Sequence, residues 1–225
     1  TSAACYCVNG VIDSPLGSWN VQTIDPNGDV GASASMALIG GQPAVAYFNN
    51  DDGSLKYAKY NGVSWNVQTV ASTSTTGLVT GDLISLAEIG GQPAIAYYDM
   101  GAFPKVKYAL YNGVSWTIED VYSTSGLAHL SLLNFGNNPS LFIGTECIST
   151  GIIYYASKPS STWSVQTIDS ASRGVSFVSG AIVNSQPAVA YSSIDGNTAS
   201  PTFMRPAIKY ARLGNTGGWA VLFVK

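Results

Sequence analysis

One pattern recurs along the whole chain and limits the fold before any residue is considered for chemistry. Tryptophans stand at Trp19, Trp65, Trp116, Trp163 and Trp219, at spacings of 46, 51, 47 and 56 residues. Four of the five lie in near copies of one short segment, SWNVQTI, SWNVQTV, SWTIED and TWSVQTI, and the last diverges to GWAVLFVK. A proline-led segment recurs in step: GGQPAVAY, GGQPAIAY, NNPSLFI and SQPAVAY carry Pro43, Pro93, Pro139 and Pro187. A third segment, LKYAKY, VKYALY, IYYASK and IKYARL, centres on Tyr57, Tyr108, Tyr155 and Tyr210. Self-similarity at a period of roughly 40–50 residues marks a chain of stacked supersecondary units.

One unit reads as four short strands. The first is rich in small residues (Ser33–Ile39, Ser85–Ile89) and ends in a Gly-Gly, Asn-Asn or Asn-Ser turn, residues that tolerate the positive φ of a two-residue hairpin. The second opens on its proline (Pro43–Phe48, Pro93–Tyr98), where the missing N–H costs no ladder bond. The polar loop Asn49-Asn50-Asp51-Asp52-Gly53 leads to the third, Leu55–Tyr60. The turn Asn61-Gly62-Val63-Ser64 leads to the fourth, Trp65–Val70, with Trp65, Val67 and Thr69 expected on one side and Asn66 and Gln68 on the other. No segment keeps a helical period for three turns. The pattern predicts an all-β propeller. Its small first strands fit the crowded centre, and its tryptophan strands fill the wider rim.

The unit S-L-A-x-I-x-G-x-P-x-I-A-Y-Y-D … L-K-Y-A-x-Y-N-G-x-S-W-x-V-x-T-V resembles the short propeller repeat of secreted bacterial proteins, of the BNR-like kind, with about 47 residues per blade. It is also similar in repeat length and aromatic pattern to the tachylectin-like five-bladed lectins. The resemblance covers the chain after residue 18. It implies an extracellular or cell-surface location and a binding or structural role, and it fixes no activity.

The strand count sets a further expectation. The first three strands occur four times and the tryptophan strand five times, while Ala3–Gly10 resembles a degenerate third strand. A single domain over 1–225 is expected, with a closure segment at 1–28 and blades at 29–72, 73–122, 123–170 and 171–225; the alternative is a five-bladed ring with an incomplete blade. One strand is then surplus, and an unpaired apolar edge is a template for another chain. The terminal run Val221-Leu222-Phe223-Val224 is apolar on both faces, which calls for burial on both. Trp19, Val21, Trp219, Val221, Leu222, Phe223 and Val224 are therefore the expected interface of a self-assembling extracellular filament or array, formed by strand exchange between copies. The alternative is a carbohydrate-binding module of lectin type. Cys5, Cys7 and Cys147 make an odd count, from which one disulfide and one free or intermolecular thiol are expected.

Composition excludes several classes. Charged residues are 10% of the chain, hydrophobic ones 46%, and the formal net charge is −3. That is too apolar for disorder and offers no basic patch for nucleic acid. No apolar run approaches the ~20 residues of a membrane helix. Thr1 opens the sequence without a methionine, which suggests a removed signal peptide or a start within a precursor.

A search for catalysis finds no expected active site, cofactor or metal, so the chain is read as a non-enzyme. His129 is the one histidine and is expected to pack in a strand. No G-x-S-x-G elbow occurs, and no clean Asp box accompanies Arg173, Arg205 and Arg212. The acidic residues Asp25, Asp29, Asp82, Glu88, Asp99, Glu119, Asp120 and Glu146 are scattered, whereas glycoside hydrolysis needs a carboxylate pair at a set separation. The loop Asn49–Gly53 could ligate calcium through its oxygens but reads better as an Asx turn. Tyr98, Phe103, Tyr111 and Tyr122 are candidate sugar platforms. Because the second loops differ between units, a single sugar site fits better than a multivalent set.

Overall fold

A computed structural model describes residues 20–72, 83–124, 126–146, 150–171, 173–194, 206–214 and 216–223. The described residues form sixteen strands and no helix. The first sheet comprises β1 (Val30–Ile39), β2 (Gln42–Asn49), β3 (Ser54–Tyr60) and β4 (Trp65–Ser72). The second comprises β5 (Ile84–Ile89), β6 (Gln92–Asp99), β7 (Lys105–Tyr111) and β8 (Trp116–Ser123). The third comprises β9 (Leu127–Phe135), β10 (Asn138–Glu146), β11 (Gly151–Ser157) and β12 (Ser164–Ala171). The fourth comprises β13 (Arg173–Val183), β14 (Gln186–Ile194), β15 (Pro206–Leu213) and β16 (Trp219–Phe223). Each sheet is an antiparallel meander in chain order, one blade of the expected all-β architecture.

The turns explain the register. Gly40-Gly41 and Gly90-Gly91 both take positive φ, as do Gly136-Asn137 and Asn184-Ser185, the geometry of type I′ hairpins. In the third blade the turn is Gly136-Asn137 rather than the expected Asn137-Asn138, because Asn138 already pairs with Phe135. The β3–β4 and β7–β8 turns are held by one side chain each. Asn61 Oδ1 accepts the N–H groups of Val63 and Ser64 at 2.9 Å, and Asn112 Oδ1 accepts those of Val114 and Ser115. The expected alternation of the fourth strand breaks at a bulge that recurs in three blades, skipping Val70, Val121 and Ile168. The extra residue turns Val70 inward and leaves Val67 and Thr69 exposed.

Neighbouring blades meet through the same contacts three times. An innermost strand has no neighbour on one edge, so its outward N–H groups need acceptors. Ser35 Oγ accepts the N–H of Leu86 at 3.0 Å, Ser85 Oγ that of Leu132 at 2.8 Å and Ser131 Oγ that of Gly180 at 2.9 Å. Farther out, a tyrosine of one blade meets the tryptophan of the next edge to face. The ring centroids are 5.3 Å apart for Tyr57–Trp116, 5.1 Å for Tyr108–Trp163 and 5.1 Å for Tyr155–Trp219. Such pairs contribute about 0.5–1.5 kcal/mol beyond their area.

The flank of β1 differs. Met36 is 66% exposed, whereas its register equivalents Leu86 and Leu132, which face a preceding blade, are 5% and 4% exposed. Residues 20–25 lie against this same blade outside any sheet, and they supply what a preceding fourth strand supplies elsewhere. Trp65 Nε1 donates to Gln22 Oε1 at 3.1 Å, as Trp116 Nε1 donates to Gln68 Oε1 and Trp163 Nε1 to Glu119 Oε2. Tyr47 donates to Asp25 at 2.8 Å, as Tyr191 donates to Asp169 at 2.7 Å.

Side-chain volume is traded across the joints. Ala46 and Ala96 hold the second-strand positions that pair with Ser35 and Ser85; the third blade has Phe142 there, paired with Ser131. The position after the serine on the next blade is leucine twice, Leu86 and Leu132, but Gly180 opposite Phe142, where an added Cβ would sit 2.7 Å from the ring. Gly180→Leu alone should therefore destabilise by about 1–3 kcal/mol through overpacking, and Phe142→Ala alone by about 3–5 kcal/mol through a cavity. The double substitution should recover most of the loss in a urea-melt mutant cycle.

Candidate functional site

The repeated joint leaves a cleft between blades, on the side of the β1–β2 and β3–β4 turns, and its contents differ from joint to joint. Between the first and second blades lies a cleft of about 480 Å³. Tyr57 forms its floor, Tyr60 and Tyr111 are aromatic walls, and Lys59, Asn66 and Gln68 bring polar ends. The Tyr57 ring is held by Trp116, and its hydroxyl is buried without a hydrogen-bond partner. Burial first, then the Glu88 carboxylate, pushes that hydroxyl up to about 12, so it is a donor at neutral pH. Gln68 gives its Oε1 to the Trp116 indole, which leaves its NH₂ to donate elsewhere.

An equivalent cleft of about 390 Å³ lies between the third and fourth blades, lined by Tyr155, Ser157, Gln166 and Leu213 among others. There the tyrosine is already satisfied: Tyr155 Oη and Ser140 Oγ share a hydrogen bond of 2.9 Å. Between the second and third blades the same place is filled by an ion pair. Lys158 Nζ donates to both carboxylate oxygens of Glu119, at 2.5 and 2.6 Å, and the Trp163 indole adds a third bond. The first cleft thus combines an unspent buried donor with free amides and aromatic walls. Sequence reading treats Tyr57 as blade packing, which it is, and misses the cleft above it. The available signal was variation at one register position of an otherwise regular repeat: Lys59, Leu110, Ser157 and Arg212.

The residues expected at an assembly interface fall in different settings. Trp19 and Val224 lie outside the described residues. Val21 is 89% exposed. Trp219 packs on Phe142 and Tyr155 of the third blade, and Val221 packs against the same cluster. Leu222 and Phe223 pair in register with Tyr210 and Lys209, so β16 is the fourth strand of its own sheet. Its apolar run is not buried on both faces, since Leu222 is 60% exposed. The C-terminal strand is thus used in its own sheet. Cys5, Cys7 and Cys147 lie outside the described residues.

Other candidates resolve into local structure. His129 is buried in β9 with Glu146 3.5 Å from its Nε2. In the Asn49–Gly53 loop, Asn49 Oδ1 accepts the Asp51 N–H and Asp52 Oδ1 the Ser54 N–H, an Asx-turn pattern. Among the described residues no group of three or more His, Cys, Asp or Glu is placed to hold a metal ion. Of the expected platforms, Tyr98 is buried and donates to the Gly126 carbonyl, and Tyr122 stacks on and bonds to Tyr154. Phe103 is exposed, and Tyr111 alone lines the cleft described above.

No protein-family model matches the chain, and no curated protein matches its sequence. Solved structures do match in shape. The Aleuria aurantia lectin bound to α-methyl-L-fucoside is 17% identical, with a TM-score of 0.58, over 90% of this chain and 63% of that one. AofleA from Arthrobotrys oligospora is 13% identical, with a TM-score of 0.54, over 85% and 56%. The endo-arabinase of Bacteroides thetaiotaomicron is 13% identical, with a TM-score of 0.52, over 86% and 81%. The fold is a β-propeller. The chain spans 56% of AofleA and 63% of the lectin, less than two thirds of each. A lectin and an arabinase among its neighbours, with β16 paired in its own sheet, overturn the expectation of a filament built by strand exchange.

The joints also carry a pH signature. Burial works against the Asp169 carboxylate, but hydrogen bonds from Lys209 and Tyr191 outweigh it and hold the group below the usual carboxylate range. A carboxyl depressed in the folded state stabilises above its unfolded pKa of about 3.9, and that stability is lost as pH falls through the folded value. Asp169→Asn should therefore be less stable than the parent at pH 7, and the gap should close below about pH 4. Chemical denaturation across that range measures it.

Proposed function

We propose that the protein is a carbohydrate-binding propeller of lectin type, and that a sugar occupies the cleft between the first and second blades. The observation that carries this reading is the Tyr57 hydroxyl, a buried donor with no partner, at the floor of a cleft walled by aromatic rings and amides. An unpartnered buried hydroxyl costs stability unless something else completes it. Sugars have the matching chemistry. Their C–H faces pack on rings such as Tyr60 and Tyr111, and their hydroxyls exchange bonds with amides such as Asn66 and Gln68. The volume lies within the range of ligand pockets. The lectin neighbour, whose structure holds α-methyl-L-fucoside, supports this reading. An extracellular setting, expected from the repeat, belongs to it.

A hydrolytic role has less support. Hydrolysis of a glycosidic bond calls for two carboxyl groups flanking that bond, and the cleft is lined by none among the described residues. Glu88, which stands nearby, already accepts the Gly40 N–H. In the next joint Glu119 is neutralised by Lys158. The site is built to hold a saccharide rather than to cut one.

Tyr57→Phe removes the donor and little else. Screened on a glycan array and titrated by calorimetry, the variant should bind the selected glycan about 5- to 10-fold more weakly, the loss of roughly one hydrogen bond. Its stability should match or exceed that of the parent, because a buried unsatisfied hydroxyl has been removed. Unchanged affinity, or no glycan bound by the parent at all, would refute the proposal.

A further inference from the structure

Four register-equivalent positions on the third strands carry Lys59, Leu110, Ser157 and Arg212, each paired to a second-strand residue near the β1–β2 type turn. Lys59 lines the first cleft, and Ser157 lines the equivalent cleft between the third and fourth blades. The lysines elsewhere are largely matched. Lys105 stands on Asp120, Lys107 on Asp99, Lys158 on Glu119 and Lys209 on Asp169. Lys59 has no carboxylate within ion-pair distance among the described residues. Its Nζ stands near Gly40, 3.6 Å from where a Cβ would be. Glu88 accepts the Gly40 N–H and does not line the cleft. The cleft is therefore lined by one ammonium without an ion-pair partner and by Tyr57, whose hydroxyl is unpartnered, with neutral amides around them.

We propose that this cleft selects saccharides that carry a carboxylate, that is, uronic-acid residues, with Lys59 as the cation and the Tyr57 hydroxyl as a second donor to the carboxylate. The inference deepens the carbohydrate reading and rests on it. An ammonium and a phenol converging on one acceptor make charge-assisted bonds, about twice as strong as neutral ones. A sugar bearing only hydroxyls would leave the ammonium without an ion-pair partner. The cleft at Ser157 lacks the cation and supplies an internal contrast, since it offers no such preference.

The test uses matched pairs that differ only at C6: methyl glucuronide against methyl glucoside, and methyl galacturonide against methyl galactoside, titrated into the full chain. In at least one pair the uronide should bind about tenfold more tightly than its neutral partner, and added salt should shrink that ratio. Lys59→Met should bring the two members to equal affinity, and Lys59→Arg, which keeps the charge, should retain the preference. Neutral sugars binding as well as the uronides would overturn the acid selectivity while leaving the carbohydrate reading intact. A ratio that survives in Lys59→Met would overturn the assignment to Lys59. Binding of neither member of either pair, together with an empty glycan array, would remove both readings.

Discussion

The molecule depends on the joint between blades. A single four-stranded sheet cannot bury both faces, so each blade is stable only against its neighbours. The joint solves three problems at three radii. Near the axis, a serine hydroxyl caps the N–H that an innermost strand leaves open. In the middle, facing side chains exchange volume, as Phe142 and Gly180 do where other joints pair alanine with leucine. At the rim, a tyrosine edge meets a tryptophan face; a glutamine or glutamate binds the indole N–H of Trp116 and Trp163, while that of Trp219 is buried without a partner. Because blades are wedge-shaped in effect, the rim is where they spread, and the cleft opens above the tyrosine.

That geometry explains why the same place serves as packing in one joint and as a site in another. Tyr57, Tyr108 and Tyr155 have one structural task, the edge contact to the next tryptophan. What differs is the surrounding chemistry. Ser140 completes the hydroxyl of Tyr155, and the Lys158–Glu119 pair fills the space over Tyr108. Around Tyr57 the positions hold Lys59, Tyr60 and Gln68, which neither fill the space nor complete the hydroxyl. A scaffold position becomes a binding position when its neighbours leave a donor unspent and the space above it open; the Tyr108 hydroxyl is also unpartnered, but the ion pair fills its cleft.

The sequence made the blades legible because they are encoded by local rules. Proline at the start of a strand, paired residues at positive φ, and Asn-Gly turns each specify one feature of backbone geometry, and the repeat multiplies the signal. Expectations failed where tertiary context decides. The run Val221-Leu222-Phe223 looked too apolar for a rim strand, yet Leu222 tolerates exposure, and Trp219 and Val221 turn inward on the third blade. The β4 alternation failed at a bulge that no residue type announces. The tryptophan segment before residue 25 looked like a surplus strand. Its Gln22 and Asp25 instead occupy the acceptor places that a preceding blade provides elsewhere. The cleft itself was hidden, because a repeat reveals what is kept between units and a site arises where units differ.

The central claim is that a saccharide sits over Tyr57, in the first of three equivalent joints. The Trp116 indole N–H reports on that place, since it bonds to Gln68 at the cleft wall; the Trp163 indole, bound to Glu119 in the filled joint, is the reference. Nitrogen–proton spectra of the full chain, titrated with a glycan chosen from an array, separate the two. The account predicts a saturable shift of the Trp116 indole resonance with Trp163 unmoved. A bound glycan that leaves Trp116 unmoved would contradict it.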